Sequence, residues 1–272
     1  MLELPEVLTI ASQLTISTKG KVVKSVSPPS KEHKFCWYNG DVREYDKNLS
    51  HLQVLSAEGF GIFVEILFES GFKLCFNDGV NVRLVKEEDA PKSYQLKISF
   101  MDGDVLVFTV SMYGSIILHS GEYNNEYYLR SKGAMIPFSE EFKAYYFDLL
   151  KKSKDTLSLK AFLATEQRFP GIGNGVLQDI LFHARLHPKR KLKSLQTEEQ
   201  ELLYSSILKT LLDMKEKGGR DTEKDLYQNP GAYQTVMSKN TVHKGCAVCG
   251  GAITKETFLG GSVYYCGHCQ PL

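Results

Sequence analysis

Four cysteines near the end of the chain stand as Cys246-x-x-Cys249 and Cys266-x-x-Cys269. Two such knuckles with about 16 residues between them fit one tetrahedral zinc ion held by four thiolates, a structural site. Gly245, Gly250 and Gly251 supply the tight turns a knuckle needs, and Ile253-Thr254 with Val263-Tyr264-Tyr265 read as a hairpin between the pairs. A disulfide-stapled tail is the competing reading. It is the weaker one, because the N-terminus lacks the basic-then-apolar layout of a secretion signal and the chain is expected to be cytoplasmic, nucleoid-associated if bacterial. The other two of the six cysteines, Cys36 and Cys75, sit in apolar stretches and read as buried thiols.

A second chemical feature is Phe169-Pro170-Gly171-Ile172-Gly173-Asn174, set between two helical patterns. Leu159, Phe162 and Leu163 mark the face of the first helix, and Val176, Leu177, Ile180 and Leu181 that of the second. Pro170 is expected to stop the first helix, the two glycines to turn the backbone tightly, and Asn174 to cap the second helix. Backbone N–H groups there make a phosphate seat. The bland alternative, a glycine-rich hairpin that binds nothing, stands beside it. Downstream, Arg185, Lys189, Arg190, Lys191 and Lys193 form a basic run without an acid, although the net charge of +1 announces no nucleic-acid binder.

These features need elements to hold them. The length of 272 residues suggests two domains, or two plus an appendage. Hydrophobic (42%) and charged (24%) contents are those of a globular protein, and no apolar run is long enough to span a bilayer, so no membrane partner is expected. Pro5 and Glu6 start an N-terminal helix with Val7, Ile10, Ala11 and Leu14 on its apolar face. From Lys21 to Leu118 the pattern has period two, with turn signals at Glu69-Ser70-Gly71 and Asp102-Gly103, as in a β-sandwich. A polar stretch from Gly121 to Gly133 reads as a linker. Beyond it Ser139 is a candidate cap, Thr197 and Gln200 a capping box for a long helix, and Gly218-Gly219 its end.

Three features in fixed order now meet: Glu3-Leu4-Pro5-Glu6 at the start, the Gly171–Asn174 hairpin, and the tail ending Tyr265-Cys266-Gly267-His268-Cys269-Gln270. Gln167-Arg168 before the hairpin and Ala184-Arg185-Leu186-His187-Pro188 after it add to them. Together they resemble the formamidopyrimidine-DNA glycosylase / endonuclease VIII family of base-excision repair enzymes, over essentially the whole chain. The resemblance implies an α+β multidomain protein: an N-terminal β-sandwich flanked by a helix (residues 1–133), a helix–two-turns–helix domain (134–238) and a four-cysteine zinc finger (239–272). It implies a monomer that binds double-stranded DNA with a damaged base or an abasic site and flips the damaged nucleotide out.

In the family the nucleophile is the α-amine of a proline exposed by removal of the initiator methionine. An α-amine with a pKa near ~8 is far more available at neutral pH than a lysine near ~10.4, and it forms an imine with the opened sugar. The adjacent glutamate, here Glu3, shuttles protons. This sequence departs from the pattern where the chemistry sits. Leu2 stands in the proline's place, and a large second residue is expected to keep Met1 attached. That puts the amine about 3.5 Å of chain too far out, where even ~1 Å can cost on the order of a hundredfold in rate. The family's lysine falls at Phe60, the finger's phosphate-gripping arginine at Gly261, and the loop that fills the vacated stack becomes Val110-Ser111-Met112-Tyr113-Gly114.

The expected DNA-binding residues are Gly171, Gly173, Asn174, Lys160, Arg185, Lys255 on the finger, and Tyr113 as a wedge. Lys160 and Arg185 also read as ordinary solvated helix residues, and Tyr113 as a ring packed on its own sheet. The candidate catalytic groups are Leu2 or Met1 as amine and Glu3 as acid/base. One reading is a damaged-DNA-binding protein with impaired chemistry. Another is an active, divergent glycosylase and lyase, and a third a zinc-stabilised protein-interaction module.

Overall fold

The computed structural model describes residues 2–77 and 79–272, so the candidate amine of Met1 lies outside the described residues. The chain forms two compact units. One comprises Met1–Lys132 with Glu223–Pro230, the other Gly133–Thr222 with Gly231–Leu272. No described helix is long and apolar enough to cross a membrane.

The first unit opens with α1 (Leu4–Thr18), started by a reciprocal capping box. Glu3 accepts the Glu6 backbone N–H, and Glu6 accepts that of Glu3. Then follow β1 (Val23–Ser27), β2 (Cys36–Tyr38), α2 (Tyr45–Leu49), β3 (Val54–Phe60), β4 (Phe63–Phe68), β5 (Lys73–Asn77), β6 (Val80–Lys86), β7 (Leu96–Phe100), β8 (Asp104–Val110), β9 (Gly114–His119) and α3 (Glu126–Lys132). The strands make two sheets, β1-β7-β8-β6 and β2-β9-β5-β4-β3, antiparallel throughout except for β2 beside β9. Residues alternate across each strand, so Ile98, Leu106 and Phe108 from one sheet meet Val64, Leu74, Phe76 and Ile116 from the other in one core. The apolar stripe of α1 joins that core, and so does Leu2. Gly59 lets α1 approach: a β-carbon there would stand 2.8 Å from the carbonyl oxygen of Val7.

The stretch expected as a linker holds α3, which covers part of the outer face of the five-stranded sheet. Beneath it Glu65, 2% exposed, accepts hydrogen bonds from Lys132 Nζ (2.7 Å) and Tyr128 Oη (2.5 Å), with Lys73 Nζ at 3.1 Å. Burial alone would raise the Glu65 pKa, but His119, Lys132, Tyr128 and Lys73 together hold it far below the carboxylate range.

The second unit contains α4 (Phe142–Lys152), α5 (Leu159–Ala164), α6 (Val176–His183), α7 (Thr197–Glu216), β10 (Thr254–Phe258) and β11 (Gly261–Tyr265). Two expected caps shift. The cap of α4 is Glu141 rather than Ser139. The capping box of α7 is Gln196 with Glu199, one residue before the predicted pair. The end of α7 is as expected: Gly218 and Gly219 have φ of 68° and 100°, and Gly219 N–H closes on the Met214 carbonyl at 2.8 Å.

Candidate nucleic-acid interface

Ser158 caps α5 by accepting the Ala161 N–H at 3.2 Å. The helix ends at Ala164, ahead of Pro170. Glu166 and Gln167 turn the chain with φ of 55° and 47°, and the Arg168 guanidinium satisfies the carbonyls of Ala161 (3.1 Å) and Thr165 (3.2 Å). The expectation that proline stops this helix is therefore corrected: a cationic side chain closes it. Gly171 takes φ +90° and is buried, which leaves Gly173 and Asn174 as the parts of the turn that solvent reaches. Asn174 is not the cap of α6 either. Gly175 holds that position, and the Asn174 side-chain oxygen is buried without a hydrogen-bond partner.

The finger closes on this turn. Its hairpin β10–β11 turns through Leu259 (φ 48°) and Gly260 (φ 74°), the left-handed pair of a type I′ turn. A β-carbon at Gly261 would lie 2.4 Å from the Asn174 amide nitrogen. Lys160 is 2% exposed and donates to the carbonyls of Phe258 and Gly261, the latter at 3.2 Å. Burial lowers its pKa. Both expectations for Lys160, a phosphate contact or a solvated residue, are corrected. Its ammonium is spent holding the finger tip.

Gln178 completes the joint: its amide donates to the Ser262 carbonyl (3.0 Å) and accepts the Tyr264 N–H (3.1 Å). Asp179, wholly buried, accepts the Val236 (3.1 Å) and Met237 (2.8 Å) N–H groups, and Gln270 bonds the Leu186 carbonyl at 2.9 Å. Sequence reasoning missed these three. The adjacent polar pair Gln178-Asp179 between Leu177 and Ile180 was the one available signal.

The cations divide in two. Arg190 is tied to Glu199 by two bonds of 2.5 and 2.6 Å, and Lys189 to Glu256 at 2.7 Å, so part of the basic run is neutralised. Arg185 is exposed, in the left-handed region at φ 55° just beyond α6, where glycine is the usual occupant. Lys255 is exposed, its ammonium 5.8 Å from the Tyr264 ring.

The sulfurs of Cys246, Cys249, Cys266 and Cys269 all lie within 4.8 Å of one another. The Cys246–Cys269 and Cys249–Cys266 pairs are 3.7 and 3.4 Å apart, close to the ~3.8 Å edge of a tetrahedron with metal–sulfur bonds of ~2.3 Å. Gly245 and Gly250 have φ of 79° and 73°, and the Cys246 N–H bonds the Gly251 carbonyl at 2.7 Å, which folds the first knuckle. The four residues can hold one metal ion.

The remaining candidates lie in the first unit. Leu2 is 5% exposed and Glu3 4% exposed, with the Glu3 carboxylate engaged in the helix cap. Phe60 stacks on Phe63, ring centroids 5.9 Å apart, under the ammonium of Lys132 at 5.0 Å. That ammonium is bound to Glu58 and Glu65. Tyr113 is 42% exposed, and Gly79 packs so closely on its carbonyl oxygen that a β-carbon would lie 1.4 Å away.

A family model described as the formamidopyrimidine-DNA glycosylase H2TH domain matches residues 134–224, which span the hairpin and its flanking helices. A formamidopyrimidine-DNA glycosylase of Cytobacillus firmus is 28% identical over 292 residues, covering 99% of this chain and 100% of its own. Along its whole length the chain is thus similar to formamidopyrimidine-DNA glycosylases, and residues 134–224 match their H2TH domain. Another relative of that name, from Aliivibrio fischeri, is 27% identical over 277 residues, covering 100% of this chain and 99% of its own. The fold agrees as well. The Lactococcus lactis Fpg, solved in complex with abasic-site DNA, superposes with a TM-score of 0.84 at 22% identity, over 99% of this chain and 100% of that one. A structure of the same protein with FAPY-dG DNA gives the same score, identity and coverage.

Proposed function

We infer that this chain is a cytoplasmic base-excision-repair protein that binds double-stranded DNA carrying a damaged base or an abasic site, and that its bond-breaking chemistry is impaired. The observation that carries the binding is the Asn174 turn: a buried amide oxygen without a partner, beside Gly173, in one unit with exposed Arg185 and Lys255. Rotated by half a turn, that amide would offer N–H donors to a phosphate. The metal we take to be a single structural zinc ion, because four thiolates at tetrahedral spacing suit it. In functional terms residues 1–133 are the catalytic-type segment, 134–238 the DNA-binding segment and 239–272 the finger.

Three positions support the impairment. Leu2 replaces the proline, and its side chain is committed to the sandwich core. Phe60 carries no cation, and the nearest one, Lys132, is held by carboxylates. An arginine at position 261 would collide with Asn174. Glu3 is left as the acid/base group, beside an amine supplied by Met1 or by a processed Leu2.

The test is borohydride trapping with an abasic duplex, alongside binding by fluorescence anisotropy and mass spectrometry of the mature N-terminus. Binding that weakens steeply with salt, a retained Met1 and no trapped adduct are expected. A trapped adduct of the natural chain would establish the active reading instead. Loss of lesion-DNA binding in a folded protein would leave the protein-interaction module. Leu2→Pro is expected to raise trapping above background, provided that Met1 is removed. If Met1 is gone and trapping stays at zero, the missing lysine and arginine are the larger defect.

A further inference from the structure

The outer face of the five-stranded sheet is covered by α3 over β4 and β5 but left open at the β2 edge. Cys36 and Tyr38 of β2 pack inward against the sandwich core, so strand alternation turns Trp37 outward. Trp37 is 51% exposed, and Phe35, two residues before it on the same face, is 47% exposed. Their ring centroids are 6.5 Å apart at 52°. The His33 ring lies 6.4 Å from that of Phe35, and the Lys34 ammonium 5.4 Å from the Phe35 centroid. The Gly114 N–H donates to the Phe35 carbonyl at 2.9 Å, which brings the exposed Met112-Tyr113 loop alongside. Two large rings kept in water side by side, bordered by the Lys34 ammonium, mark an interaction surface rather than scattered apolar exposure.

Resting on the DNA-binding reading above, we propose that Phe35 and Trp37 form a stacking platform for an unpaired nucleobase of single-stranded DNA, with Lys31 and Lys34 at its phosphates. Bases within a duplex are stacked on both faces and cannot reach such rings, whereas an unpaired base has a bare face to offer. Aromatic rings interleaved with lysines are the pattern that takes it. Charge favours this occupant over an apolar protein surface: between residues 31 and 37 Glu32 is the only acid, against Lys31 and Lys34.

Trp37 is the only tryptophan in the chain, so its emission reports directly on this surface. The natural protein is titrated with oligo(dT), with an oligomer of abasic residues of equal length and charge, and with a blunt undamaged duplex. Binding of each is followed separately by anisotropy of labelled DNA. Oligo(dT) is expected to quench Trp37, and the abasic oligomer to bind with little quenching. Phe35→Ala and Trp37→Ala should each weaken oligo(dT) about tenfold and leave the blunt duplex within twofold, while Trp37→Phe keeps most of the affinity. Unchanged emission at saturation, equal quenching by the abasic oligomer, or unaltered oligo(dT) affinity in Phe35→Ala would overturn the platform. Quenching by oligo(dT) in a protein that ignores lesion duplexes would support the platform and sink the repair assignment.

Discussion

Gly261 and Asn174 touch across the joint between finger and hairpin: a β-carbon on the glycine would stand 2.4 Å from the asparagine amide nitrogen. The absence of a side chain on the finger is what lets its tip close over the turn. Restoring the family's arginine by Gly261→Arg should therefore not restore a phosphate grip. We expect a loss of about 1–3 kcal/mol in the stability of this unit, as for other overpacked contacts, and weaker lesion-DNA binding. Thermal melting and anisotropy check both. An arginine that tightened binding at no cost in stability would show that tip and turn stand apart.

Lys160 and Arg185 carry the same charge and should behave oppositely. Lys160→Met removes a buried tie to two carbonyls, costs about 1–3 kcal/mol, and leaves the salt dependence of DNA binding unchanged. Arg185→Gly relieves a left-handed backbone, gains about 1 kcal/mol, and lowers the slope of log affinity against log salt by about one. Binding isotherms over a salt series, with melting curves, separate the two.

Glu65 predicts a stability that depends on acidity. Its folded-state pKa lies far below the ordinary 4.5, so its contribution is complete above that value and is lost as pH falls through the acid range beneath it. Glu65→Gln should cost about 3 kcal/mol at neutral pH, the scale for stripping one partner from a buried ion pair. The gap between variant and natural protein should narrow steadily below about pH 4.5. Denaturant titrations of both proteins from pH 7 to about 3 provide the measurement.

Metal content is the most direct check on the finger. Native mass spectrometry should find one zinc ion per chain. Its removal by a strong chelator should abolish lesion-DNA binding while the sandwich still melts cooperatively. Cys266→Ser, which removes one of the four sulfurs, should do the same.

The sequence made the framework legible because periodicity and turn chemistry are local. Val7, Ile10 and Leu14 mark α1, and the alternation of β7 and β8 around Gly103 returns in the structure. The cysteine spacing announced the convergence of four sulfurs in the same way. The joint between finger and hairpin was not legible, because it depends on partners far apart in the chain. Lys160 reads as a surface cation until Phe258 and Gly261 arrive about a hundred residues later. Gln178 likewise finds its partners only at Ser262 and Tyr264. The caps slipped by a residue or more because several polar residues stood near each helix start, and packing, not propensity, chose among them.

The short excursion Glu223–Pro230 bears on any attempt to take the molecule apart. Gln13 holds both Asp225 (2.9 Å) and the Leu226 N–H (3.0 Å), and the Leu226 side chain is wholly buried in the sandwich core. Cutting the gene at residue 133 would thus give an amino-terminal piece with a hole where Leu226 belongs, and a carboxy-terminal piece with a greasy loop exposed to water. Neither half is a sound reagent by itself. A separable sandwich would have to carry those eight residues grafted on, and a separable hairpin–finger piece would need a short polar bridge in their stead.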